Sequence, residues 1–155
     1  MDKIYRVKFQ TNLIISACIL FLLSSCTVKW VGDYDAEAAS NIQKVAKTTD
    51  AFLLNMMLTS SSDDGSRQFE NYAGGYAAIE SELVSLRLQN QVRPINDHSI
   101  RISKIALEMW LDYMNEHKND DSVSDGILKL NRMYMQDVFR AMLIAEEGKN
   151  FVKPE

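Results

Sequence analysis

Polar and apolar residues along the chain fall into four blocks with helical spacing. From Ala36 onward, Ala38, Ile42, Val45, Thr49, Phe52 and Met56 recur at intervals of four and three, which is one face of a helix. Gln43, Lys44, Lys47 and Asp50 fall on its other faces, and Asp33 or Asp35 can cap its start. Residues 59–66 are Ser-, Asp- and Gly-rich and predict a loop. A second block, about 67–90, places Phe69, Tyr72, Tyr76, Ile79, Leu83 and Leu86 on one face. It contains Gly74 and Gly75, each costing about 1 kcal/mol against Ala in a helix interior. With Ala73, Ala77 and Ala78 alongside, close helix packing or simple tolerance is the simplest reading of the pair, ahead of a kink or a backbone-contact site.

Pro94 ends helical continuation, and Asn96 or Asp97 can cap a third helix over about 98–118. A polar loop follows. Ser122 and Asp125 are spaced like a capping box for a fourth helix, which runs to about residue 147 and stops at Gly148 and Lys149. No stretch alternates with period two for long enough to predict a strand. The pattern therefore predicts an all-α domain over 36–149, an antiparallel four-helix bundle with a short tail at 150–155.

The third block is apolar over more of its circumference than a bundle helix needs. Ile102, Ile105, Ala106, Met109 and Tyr113 form one stripe, and Ile100, Leu107, Trp110, Leu111 and Met114 continue it. The arc spans about 240°, against a stripe only somewhat over 100° for one buried face. The fourth block is similar, with Ile127, Tyr134 and Val138 beside Leu128, Met135, Phe139 and Leu143. Either these helices have extra neighbours, or Leu107, Trp110, Leu111 and Met114 belong to a homodimer or partner interface.

Ahead of the helical blocks lies a different pattern. Lys3, Arg6 and Lys8 precede an apolar run over 13–23, which ends in Leu23-Ser24-Ser25-Cys26. A basic start, a short apolar core and small residues before a cleavage point make a secretory signal, and the run is too short to span a membrane. Leu23-Ser24-Ser25-Cys26 resembles the lipobox of bacterial lipoproteins. That resemblance implies cleavage after residue 25, acyl chains on Cys26, and a lipidated tether over 26–35. Thr27, in place of Asp, suggests by the sorting habit of such proteins an outer-membrane anchor facing the periplasm. Trp30 reads equally as an interfacial residue or as packed on the fold. Tyr34-Asp35 followed by a helix carrying Asp50-Ala51-Phe52-Leu53 looks like a group of small, uncharacterised bacterial lipoproteins with helical mature parts. That likeness brings no catalytic residue with it.

Charge and composition narrow the function further. The chain has 17 basic and 21 acidic side chains; three and one of these lie in residues 1–25, leaving 14 and 20, a formal −6. That balance argues against nucleic acid, which is bound largely through Lys and Arg. It also leaves anchoring to the acyl chains on Cys26. Cys18 leaves with the signal, so the mature chain is expected to have neither a free thiol nor a disulfide.

No catalytic constellation, metal set or cofactor motif is legible. His98 and His117 lie about 28 Å apart along one helix and cannot share a metal. There is no Glu-x-x-His pair, no Cys-x-x-Cys-His, no phosphate loop and no nucleophile elbow. The acidic loop fails as an EF-hand, since Arg132 stands where a bidentate Glu is required. The helical methionines read first as core filler, then as an adaptable surface, and last as metal ligands. His117, near a helix C-terminus, is favoured when charged. The sequence thus predicts a non-enzymatic interaction or structural protein of the envelope. The alternative is a carrier of a small apolar ligand or haem between helices.

Overall fold

The computed structural model describes residues 31–152. The signal-like stretch, Cys26 and Trp30 lie outside the described residues. Within them the chain is all-helical: α1 (Ala36–Thr59), α2 (Ala73–Gln91), α3 (Asp97–Asp120) and α4 (Asp125–Glu147), with 3-10 helices at Phe69–Asn71 and Gly148–Val152. Each α-helix packs against two others: α1 on α2 and α4, α3 on α2 and α4. The start of α1 meets the end of α4 through Asp35 and Glu146, and Asp50 further along α1 meets Arg132 earlier in α4.

Local chemistry sets the boundaries. Asp35 caps α1, its Oδ1 accepting from the amides of Glu37 (2.9 Å) and Ala38 (3.2 Å). The cap of α4 is Ser124, whose Oγ accepts from the Ile127 amide, and not the expected Ser122, whose hydroxyl turns to the Ser62 carbonyl. Asn96 occupies the cap position of α3, yet its side chain leaves the helix for Asn90 and Lys149. The second helix begins at Ala73, later than expected. Residues 67–72 instead cross between helix ends, where the Phe69 amide donates to Asp121 and the Arg67 side chain is buried.

The core joins Ile42, Val45, Leu53 and Met56 of α1, Tyr76, Ile79, Leu83 and Leu86 of α2, Ala106, Leu107 and Trp110 of α3, and Leu128, Met135, Phe139 and Met142 of α4. Three of the methionines, Met56, Met135 and Met142, fill this core, while Met133 is exposed. Phe52 is half-buried, and Leu53 takes the deeper place beside it. The Phe52 ring still meets Tyr76 at 4.9 Å and Trp110 at 5.7 Å, both edge-on, a favoured aromatic geometry.

The same ring explains one of the paired glycines. A Cβ at Gly75 would lie 2.2 Å from Cε2 of Phe52, whereas one at Gly74 would meet nothing within 4 Å. Close packing therefore accounts for Gly75 alone. Gly75→Ala is expected to destabilise by about 1–3 kcal/mol through overpacking. Gly74→Ala should be neutral or stabilise by up to about 1 kcal/mol. Urea unfolding of the two single variants checks the contrast, and equal effects would remove the Phe52 explanation.

The interface expected from the third helix needs correction. Trp110 is 0% exposed and Leu107 is buried, while Leu111 and Met114 are half-buried against the core. The buried face of α3 runs through Ser99, Ser103, Ala106, Trp110 and His117, and Ile105 of the other stripe is the side chain left in solvent. Trp110 therefore cannot centre an exposed surface of the single chain.

Candidate functional sites

Two buried polar clusters and one groove stand out. The first cluster closes the end where α1 begins. Glu146 continues the apolar face of α4 formed by Leu128, Met135, Phe139 and Met142, and is itself buried. It receives Arg93 on both oxygens (2.6 and 3.0 Å), the Lys149 ammonium (2.6 Å) and the Asp35 amide (2.9 Å). Lys149, folded back by the 3-10 helix, also donates to Asn96 Oδ1 (2.6 Å) and Ser99 Oγ (3.1 Å). Burial acts to raise the Glu146 pKa, but hydrogen bonds from Arg93, Lys149 and Asp35 outweigh it and hold the carboxyl below its ordinary value.

This cluster also straps down the segment preceding α1. Arg93 donates to the Asp33 carbonyl (2.6 Å), and the Gly32 amide to the Ile95 carbonyl (2.9 Å). A Cβ at Gly32 would lie 2.7 Å from the Pro94 carbonyl oxygen, so only glycine fits that crossing.

The second cluster centres on His117, which lies in the last turn of α3, near the helix C-terminus as expected, and is buried. Its Nε2 lies 2.8 Å from the Arg67 carbonyl and its Nδ1 lies 3.1 Å from the Tyr76 hydroxyl. A carbonyl only accepts, so Nε2 carries the proton, and in the neutral ring the Tyr76 hydroxyl donates to Nδ1. Burial pushes the Tyr76 phenol well above its usual range, which keeps that proton in place. The Arg67 guanidinium reaches Val123 O (2.8 Å), Ser60 Oγ (3.1 Å), the Ser60 carbonyl and the Asp125 carboxylate (2.7 Å). It thereby ties the ends of α1 and α4 to the crossing at residue 67. His98 is exposed and joins neither cluster.

The groove lies between α1 and α4 and has a volume of about 340 Å³. Ala46, Leu53, Met135, Phe139 and Leu143 make it mainly apolar. At its edge Asp50 accepts from Arg132 (2.7 and 3.0 Å) and Gln136 (2.6 Å), and the Arg132 hydrogen bond lowers its pKa.

Sequence reasoning missed Glu146, Arg93, Lys149 and Arg67. A signal existed for Glu146, since it extends a four–three apolar face by one more turn and has Lys149 three residues on. Arg67 and Arg93 lie in breaks, where periodicity is silent. Among the described residues, no three His, Cys, Asp or Glu side chains come together as a metal set. No described helix is long and apolar enough to cross a membrane. No family model, curated protein or solved structure matches the chain.

Proposed function

We propose that this chain is a lipid-anchored helical protein of the bacterial envelope. It is held by acyl chains on Cys26 and faces the periplasm from the outer membrane. It acts as a non-enzymatic interaction or structural protein, and its four helices form an antiparallel bundle. The observation that carries the reading is Leu23-Ser24-Ser25-Cys26 closing a short apolar run after a basic start. The strapping of residues 32–35 onto the α2–α3 loop and the end of α4 supports it, because a tethered domain gains from a fixed exit point for its anchor. The alternation of α1 and α4 contacts, start to end and middle to middle, supports the antiparallel arrangement.

With Trp110 and Leu107 in the core, the partner surface on this reading moves outward to Ile127, Leu130, Met133 and Tyr134, the exposed apolar residues of the first half of α4. The groove between α1 and α4 favours a second reading, carriage of a small apolar ligand, because its size falls in the range of small-molecule sites. Haem fits less well, since both ring nitrogens of His117 are engaged by Tyr76 and Arg67.

Cys26→Ser is expected to abolish acylation and processing. Palmitate labelling of the expressed chain measures it, and unchanged incorporation in the variant removes the anchor.

A further inference from the structure

We propose that the end of the fold built from the α2–α3 loop and the turn after α4 rests on a neutral lipid bilayer, with Val92, Ile95 and Phe151 entering its headgroup–acyl boundary. The inference rests on the reading of Cys26 as an acylated anchor. Three observations lead to it.

The first is exposure. Val92 is 82%, Phe151 89% and Ile95 49% exposed, and the contacts of Arg93 and Asn96 with Glu146 and Lys149 bring their segments together. The second is strain. Ile95 has φ of 54°, in the left-handed region where a β-branched residue is a true outlier and Gly or Asn is favoured. The backbone keeps a costly residue there and points an apolar side chain at solvent. The third is reach. Gly32 is hydrogen-bonded to Ile95 itself, and Cys26 lies five residues before Val31. Five residues span at most about 18 Å, so acyl chains on Cys26 keep a bilayer within reach of this end.

Charge selects the lipid. Asp97 and Glu147 are exposed here, while Arg93 and Lys149 are engaged by Glu146. An anionic surface would be repelled, and a zwitterionic one is neutral to these acids. Area burial by three apolar side chains would then orient the domain on an anchor that acyl chains already supply.

The test uses the full chain purified from membranes, in a Cys18→Ala background, with single spin labels at Ile95→Cys, Phe151→Cys or Leu58→Cys. Leu58 is exposed and lies about 33 Å further along α1 at 1.5 Å per residue. Mass spectrometry of the Cys26 peptide is read first. In zwitterionic vesicles, collisions with oxygen should exceed those with a water-soluble nickel chelate several-fold at positions 95 and 151, and the order should reverse at 58. Ile95→Gly should raise the melting temperature by relieving the backbone, yet move a label at 151 toward the chelate. An acylated chain whose labels at 95 and 151 behave like that at 58 overturns the inference alone. A chain without lipid on Cys26 overturns the anchor and the inference with it.

Discussion

Glu146→Ala is expected to lower the unfolding free energy by about 3–5 kcal/mol, the usual cost of breaking a buried ion pair from one side. The carboxylate is buried and accepts four hydrogen bonds, two from Arg93 and one each from Lys149 and the Asp35 amide. Without it, the Lys149 ammonium stays buried with only Asn96 and Ser99 as partners, and Arg93 loses both of its bonds to Glu146. A Glu146→Ala/Lys149→Met double variant should recover part of the loss, because it removes the stranded charge together with its partner. The pH dependence follows from the lowered carboxyl. A depressed folded-state pKa contributes stability that is fully present above the ordinary Glu value of 4.5 and is lost as pH falls through the folded value. The gap between wild type and Glu146→Gln should therefore narrow below pH 4.5. Urea unfolding across that range measures it, and a gap of constant size would assign Glu146 to packing rather than to charge.

How far the sequence could be read follows from the same residues. Periodicity located all four helices because each buries a stripe at three–four spacing, as Ile42, Val45 and Met56 or Ile79, Leu83 and Leu86 do. Periodicity failed where burial is polar. The inner face of α3 includes Ser99, Ser103 and His117, which a hydropathy rule assigns to solvent, while Ile105, on the expected apolar stripe, is exposed. The start of α2 was misplaced for a related reason. Phe69 and Tyr72 keep the helical rhythm, but the buried Arg67 and the His117 bond to its carbonyl hold that stretch in another conformation. The end cluster was hidden because its members lie 53 residues apart in the chain, and only tertiary structure brings Arg93 to Glu146. The lipobox-like stretch is legible in sequence and lies outside the described residues.

Trp110→Ala is expected to cost about 3–5 kcal/mol, the largest class of core truncation, and the loss should not depend on protein concentration. The indole is wholly buried, its Nε1 donates to the Tyr76 carbonyl at 3.0 Å, and its ring lies 5.1 Å from that of Tyr76 and 5.7 Å from that of Phe52. Removing it opens a cavity where α3 meets α1 and α2, with the Phe52 ring on α1 and the Tyr76 ring and carbonyl on α2 losing a neighbour. Trp110→Phe should lose less, since it keeps most of the apolar volume and gives up one hydrogen bond to a helix carbonyl. Concentration is the discriminating variable. A core residue acts on the stability of each chain separately, whereas a residue at a subunit interface acts through mass action, so its melting temperature shifts with dilution. Thermal unfolding of wild type and Trp110→Ala over a hundredfold range of concentration separates the two. A wild-type melting temperature that falls with dilution, while that of Trp110→Ala holds constant, would return Trp110 to an interface between chains. A constant, large difference places it at the centre of the single-chain core, and leaves Ile127, Leu130, Met133 and Tyr134 as the apolar surface of α4 open to a partner.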